Sequence, residues 1–224
     1  MTRVVALVAA RDEADRIGDT VTALRGIARV SEVVVVDDGS RDDTASRALA
    51  AGATVLRLDR SRGKGRALEG ALRRVPAAEA WLLADGDLGG TASELGPVLE
   101  SVLTEEADLA IAVFPPGPAG GFGLVKRASA RAIRLLAGLE VREPLSGQRA
   151  LSGTALEAVR PLARGFGVET AMTIDAARAH LRVREVPAEL GHRPTFRDLD
   201  GFRHRGRQGW DILLAVVPRA LGLR

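Results

Sequence analysis

The stretch AWLLADGDLGG, residues 80–90, runs an apolar segment straight into two carboxylates, Asp85 and Asp87, with only Gly86 between them. Carboxylates that close repel one another, so either a solvated Asp-Gly turn takes them or a cation does. The cation has the sharper physical case. Hard divalent ions such as Mg2+ or Mn2+ take carboxylate oxygens together with phosphate oxygens of a substrate, rather than a full protein cage. An ion shared with a diphosphate offsets charge on that leaving group as the bond to a phosphate oxygen breaks.

Other residues carry related chemistry. Asp38 follows the apolar run EVVVVD and suits hydrogen bonds from a base N–H or sugar hydroxyls; an ordinary DDGS turn capping the next helix is the alternative. Lys64 lies between two glycines in RSRGKGRAL, in a chain whose only other lysine is Lys126. Its compact ammonium can approach a phosphate or base where a guanidinium is too wide, although a solvated lysine at a helix start reads the same way. Glu169, in GFGVETAM, could deprotonate an acceptor hydroxyl, whose own pKa is too high for attack at neutral pH. A phosphate-oxygen acceptor would need no base, and a salt-bridged glutamate in a first helical turn is the bland alternative. Of the three histidines, His180 falls in an amphipathic helix and His204 in a basic tail, whereas His192, in ELGHRP, follows a strand-like run. A neutral imidazole suits Mn2+ better than Mg2+, so His192 is a candidate metal ligand beside a purely structural reading.

These groups need a scaffold that brings them together. RVVALVAA and EVVVVDD are continuous β-branched runs of the kind buried on both faces of a parallel sheet. DEADRIGDTVTALRGIA between them has Ile17, Val21 and Leu24 at helical spacing, and TVLRL and AWLLA supply two more strands after intervening helices. The pattern β-α-β-α-β-α-β predicts a doubly wound open sheet, in which ligands sit beyond the carboxyl ends of the strands. On that fold Arg11 to Glu13, Asp37-Asp38, Arg62 to Gly65 and Asp85 to Asp87 share one rim. Further on, ELGPVLESVLTEEA reads as helix, DLAIAVF as strand and PPGPAGGFG as a long loop. LVKRASARAIRLLAGL and GVETAMTIDAARAHL read as helices, EPLSGQRALS as a turn with a short strand, and RVREVPAEL as a strand. A tail, RDLDGFRHRGRQGWDILLAVVPRAL, closes the chain as a helix that Pro218 interrupts. The expected organisation is one domain over 1–195, its halves 1–90 and 91–195, followed by a helical tail over 196–224.

Composition narrows the classes. With 224 residues, 46% hydrophobic, the chain can bury a real core. It has no cysteine, which excludes disulfides and thiolate chemistry. A net charge of +3 with 3% aromatics argues against a nucleic-acid binder. No early apolar stretch is long enough for a membrane span, so a cytoplasmic location is expected. The tail's basic start and apolar end are read as packing on the domain or on a twin subunit, with an anionic membrane surface as the alternative. A dinucleotide fold would want glycines just after the first strand, and ARDEADRI has none; RSRGKGRAL lacks the spacer and the Ser/Thr of a phosphate loop.

ARDEADRI, VVVVDDGSRDDT, RGKGRAL, the DGD ending an apolar strand, and GFGVETAMTIDAA occur in the order seen in family 2 glycosyltransferases, which the chain resembles over most of its length and most strongly over 4–90. GKG, PLSGQ, GFGVE and a late GHR look especially like the glucosyl-3-phosphoglycerate synthases and, more loosely, the polyprenyl-phosphate sugar synthases. The resemblance implies an α/β GT-A fold, a Rossmann-like, mostly parallel sheet with helices on both faces and a C-terminal helical extension. It implies a divalent metal, Mn2+ or Mg2+, and a nucleotide-sugar donor, UDP-glucose above all. The acceptor would be a small hydroxyl compound, with or without a phosphate, or a lipid phosphate; 1–195 would be the catalytic domain, binding nucleotide through 1–90 and acceptor through 91–195. Ala9, Ala10, Arg11 and Glu13 would border uracil and ribose, with Glu13 on the sugar hydroxyls; Asp38 would read the base, and Lys64, Asp85 and Gly86 would lie by the nucleotide. Asp87 and His192 would hold the metal. Leu145, Ser146, Gly147 and Gln148 would shape the acceptor pocket, and Asp87 and Glu169 would face the reacting centre. Ala9 stands where many members have proline, which bears on the uracil contacts and not on the fold.

Overall fold

The computed structural model describes residues 3–114, 123–191 and 199–223, the side chains of 199–208 excepted. Most of PPGPAGGFG and all of His192 lie outside the described residues. In chain order the elements are β1 (Val4–Ala10), α1 (Ile17–Gly26), β2 (Glu32–Asp37), α2 (Thr44–Ala50), β3 (Thr54–Arg57), α3 (Lys64–Leu72) and β4 (Ala80–Asp85). There follow α4 (Gly96–Leu103), β5 (Leu109–Val113), α5 (Gly123–Ala137), β6 (Arg149–Ser152), α6 (Gly153–Val159), α7 (Val168–Arg178), β7 (Val183–Pro187) and α8 (Leu199–Ala220). Short 3-10 turns at Gly89–Leu95 and Gly165–Gly167 lead into α4 and α7.

The strands form one seven-stranded sheet in the order β3-β2-β1-β4-β6-β5-β7. All neighbours are parallel except β6, which runs antiparallel to both β4 and β5. The α/β reading therefore holds, with a single reversed strand in the second half. Alternation along the strands explains why their sequences are apolar at every position. On β1, Val4, Ala6 and Val8 pack with Ile17, Val21 and Leu24 of α1 and Val98 and Leu99 of α4. Val5 and Leu7 face the other way, toward Leu68 and Leu72 of α3 and Met172 of α7. A strand with helices on both faces has no solvent side.

Register then fixes the rim. Ala9 pairs with Val36 on one side and Asp85 on the other, and Ala10 pairs with Asp37. The carboxyl ends of β1, β2 and β4 thus finish level. Two details differ from the sequence expectation. GTALEAV, between the EPLSGQRALS turn and strand and the next expected helix, forms α6, capped by the Ser152 side chain accepting from the Ala155 N–H. Pro218 does not interrupt α8, which continues to Ala220, because a proline in the last turn removes one hydrogen bond and the chain beyond closes with Leu221 N–H to Val217 C=O.

Candidate active site

At the rim, each loop is fastened to its neighbour. The Asp38 carboxylate is buried and accepts from the Ser61 hydroxyl (2.7 Å) and from the N–H groups of Arg62 (2.7 Å) and Gly63 (2.9 Å). Its two oxygens secure the loop that delivers Lys64, so in this structure they accept from protein donors. Arg11 donates to Ser61, and the Asp12 N–H donates to Ser40. Asp37, fully buried, accepts from the Ser40 N–H and lies 3.3 Å from Arg57.

Lys64 opens α3, and the two glycines around it have separate reasons. Gly63, the residue before the helix, has φ +83°, a conformation that costs a residue with a side chain. Gly65 meets the carbonyl of Ala163 so closely that a Cβ has no room. Held there, the Lys64 ammonium lies 2.5 Å from Asp85 and 2.9 Å from Glu169. Asp85 also accepts from the Gln148 amide at 2.8 Å. Gly147 passes directly over this pair: a Cβ on it would collide with Lys64 Nζ and lie 2.5 Å from Asp85 Oδ2. Burial by itself would lower the Lys64 pKa, but the carboxylates of Asp85 and Glu169 outweigh it and hold the ammonium above the ordinary lysine value. Lys64 is therefore a cation at neutral pH, although its side chain is only 17% exposed.

A second cation lies beneath. Arg149, the first residue of β6 and 1% exposed, donates to the carbonyls of Ser146 (2.8 Å) and Pro144 (3.3 Å) and to the Thr173 hydroxyl (2.9 Å). Thr173 in turn donates to the carbonyl of Glu169. Burial presses the Arg149 pKa down to about 10, against the pull of the Glu169 and Glu185 carboxylates, and leaves it charged at neutral pH. Arg149 thus ties the PLSGQ turn to the first turns of α7. The sequence reading missed it; a charged residue opening the otherwise apolar strand RALS was the available signal.

The structure brings Lys64, Asp85, Gly147, Gln148 and Glu169 into one cluster, although they come from four separate segments. Ser146 is buried beside Gln148, its hydroxyl 3.4 Å from the Gln148 carbonyl. Ala9 and Ala10 end β1, and Gly86 packs on Ala10, its N–H donating to the Ala9 carbonyl. The Glu13 N–H donates to Thr44. Asp87, half-buried, follows β4, and its carbonyl accepts from Arg16. Among the described residues no three His, Cys, Asp or Glu side chains gather to cage a metal. Two carboxylates facing one ammonium and one amide can accept hydrogen bonds from a hydroxyl-rich ligand, and Asp87 stands at the edge where a hard cation could be shared with phosphate oxygens.

A mostly parallel sheet with polar residues gathered at the carboxyl ends of its strands, Asp85 at the end of β4 among them, is a GT-A-like fold. Structures of glucosyl-3-phosphoglycerate synthase from Mycobacterium tuberculosis superpose on it. The complex with Mn2+, UDP-glucose and phosphoglyceric acid gives a TM-score of 0.80 at 28% identity, covering 97% of this chain and 79% of that one. The complex with Mg2+ and UDP gives 0.81 at 26% identity, with 97% and 79% covered. Glycosyltransferase AglJ of Haloferax volcanii is 32% identical over 93% of this chain and 69% of its own length. Glucosyl-3-phosphoglycerate synthase of Mycolicibacterium paratuberculosis is 30% identical over 79% of this chain and 63% of its own length. The glycosyl transferase family 2 model matches residues 6–149. The chain belongs to glycosyl transferase family 2 and is a nucleotide-sugar-dependent glycosyltransferase.

Proposed function

We propose that this chain transfers a hexose, glucose from UDP-glucose, to the hydroxyl of a small phosphorylated acceptor. The observation that carries this reading is the Lys64–Asp85–Gln148–Glu169 cluster: a buried ammonium with its carboxylates, at the rim where a donor sugar would lie. Relatives solved with UDP-glucose, Mn2+ and phosphoglyceric acid support the same donor, metal and acceptor class.

The residues present suit a divalent cation. Asp87, two residues beyond Asp85 at the end of β4, is the carboxylate we assign to an Mn2+ or Mg2+ ion, with His192, outside the described residues, as its further ligand. Such an ion takes few protein ligands and completes its shell from phosphate oxygens and water. When bound, it would offset the charge that develops on a departing diphosphate. Ala9, Ala10, Arg11, Glu13 and Gly86 border the nucleotide in this reading, and Asp38 acts through the loop it fastens. Asp85 and Gln148 accept from and donate to sugar hydroxyls. Glu169 takes the proton of the attacking acceptor hydroxyl, and Ser146, Gly147 and Gln148 line the acceptor side. Lys64 keeps both carboxylates in place and supplies positive charge close to the reacting bond.

Donor hydrolysis and metal-linked binding test this. Wild type with UDP-glucose and Mn2+ is expected to release UDP slowly without acceptor, and saturating UDP with Mn2+ should stabilise it by about 3 kcal/mol at a hundredfold excess over Kd. Asp87→Ala should remove the metal dependence of UDP binding; unchanged dependence would take Asp87 out of the ligand role. If Glu169→Gln left transfer intact, a phosphate oxygen, already ionised and needing no base, would be the nucleophile instead.

A further inference from the structure

The strip from 209 to 223, the end of α8 and the three residues after it, has two sharply different faces. Its inner side is formed by Ile212, Ala215 and Arg219, all buried. Both charged side chains of this strip are used inward: Asp211 accepts from the Phe166 N–H at 3.1 Å, and Arg219 pairs with Asp175 and donates to the Ala215 carbonyl at 2.7 Å. What remains outside is Trp210, Leu213, Leu214, Val217, Leu221 and Leu223, with only glycine and alanine at the other exposed positions. Apart from Leu49, every large apolar side chain exposed in the described residues lies on this strip or on α5, the helix packed beside it. Isolated exposed leucines need no explanation; a contiguous stripe of this kind marks a contact surface.

Charge says what the surface meets. The exposed side of α5 carries Leu124 and Leu135 together with Arg127, Arg131 and Arg134, and α5 has no acidic residue. Arg134 lies 3.5 Å from Glu140, just beyond the helix, while Arg127 and Arg131 have no carboxylate partner among the described residues. A second copy of the chain docked through the same face would bring two arginine rows into one interface, with Glu140 already beside Arg134 and no acid on α5 itself to receive Arg127 and Arg131. An anionic lipid surface offers both an apolar phase for the stripe and phosphates for the arginines. No described helix is long and apolar enough to cross a membrane, so the contact is with the surface.

We propose that the outer faces of α8 and α5 dock this protein onto anionic membranes. It is the inner side of α8, opposite this face, that packs beside the candidate site: Gly165 and Gly167 lie against Asp211 and Ala215, and Gly165 also lies 3.7 Å from the Cβ position of Gly63. The inference stands on the surface alone and does not depend on the donor or acceptor proposed above.

Tryptophan emission reads it directly, because Trp81 is 3% exposed and Trp210 is 60% exposed. Phosphatidylcholine vesicles containing about one-third phosphatidylglycerol should float the protein and shift Trp210 emission to the blue, whereas pure phosphatidylcholine should do so at least about tenfold more weakly. Replacing Arg127 and Arg131 with serine should lower partition about fivefold per residue and flatten its dependence on salt. Leu213→Glu with Leu214→Glu, both at exposed positions, should abolish flotation while UDP-linked thermal stabilisation stays unchanged. No flotation of wild type with the anionic vesicles overturns the proposal. So does equal binding to both vesicle types, or a concentration-dependent dimer in ultracentrifugation that the paired glutamate variant dissolves.

Discussion

The ammonium of Lys64 lies 2.9 Å from Glu169 and 2.5 Å from Asp85, so one cation joins a carboxylate from the end of β4 to one from the first turn of α7. The three residues are far apart in the chain and meet because α3 and α7 both pack on the same face of the sheet. Removing the cation leaves two partly buried carboxylates facing each other, and the partners should therefore act as a unit. Lys64→Met is expected to cost about 3 kcal/mol of stability, and Glu169→Gln in that background should restore part of it. A double-mutant cycle by urea denaturation should show a coupling of about 1–3 kcal/mol. Additive effects would mean that the pair is not energetically linked.

Gly147 should be intolerant of a single methyl. Its Cβ would run into the Lys64 ammonium and Asp85, neither of which is free to move away from its other partners. Gly147→Ala is expected to lower stability by about 1–3 kcal/mol and turnover by about tenfold or more. Steady-state rates of UDP release beside chemical denaturation check both. A fully active alanine variant would show that the turn moves away without loss.

Arg149 is a positioning residue. Arg149→Lys keeps a charge but loses the fork that reaches Ser146, Pro144 and Thr173 together. Because those groups orient the PLSGQ turn and Glu169, kcat should fall about tenfold while the donor KM changes little. A purely structural role would instead lower stability and leave both constants of the remaining folded enzyme unchanged.

Glu69 gives a pH-dependent test. From α3 it accepts from Arg160 (3.1 Å) and from the Leu162 N–H (3.1 Å), tying the helix that begins with Lys64 to the segment that leads into α7. Burial would raise its pKa, but the Arg160 and Leu162 hydrogen bonds and the Arg160 charge outweigh it and hold it below the ordinary value of 4.5. A carboxylate with a depressed folded pKa stabilises the fold above the unfolded value, and that contribution is lost as pH falls through the folded one. Glu69→Gln should therefore cost about 1–3 kcal/mol at neutral pH, a drop in Tm of several degrees, and the deficit should narrow as pH falls below the ordinary carboxylate value and through the lowered folded one. A deficit of equal size at neutral and acid pH would assign the effect to packing.

Much of this was legible in the chain itself. Continuous Val and Leu runs predicted strands buried on both faces, and the alternation with helical spacings predicted a doubly wound sheet, because local periodicity reports which faces meet a core. Once the first four strands are parallel, the polar residues after each of them must share a rim; Arg11, Asp38, Lys64 and Asp85 do. Family motifs carried the rest of the first half. Tertiary structure alone decided how those groups are partnered. That Lys64 would meet Glu169 and Asp85 rather than solvent, that Asp38 would hold the loop before α3, and that Arg149 would sit buried beneath the PLSGQ turn depend on packing between segments distant in sequence. The same is true of β6, whose reversal between β4 and β5 brings Gln148 to Asp85. Hydrophobic pattern is a local property, whereas the partner of a buried charge is set by whichever distant element arrives beside it.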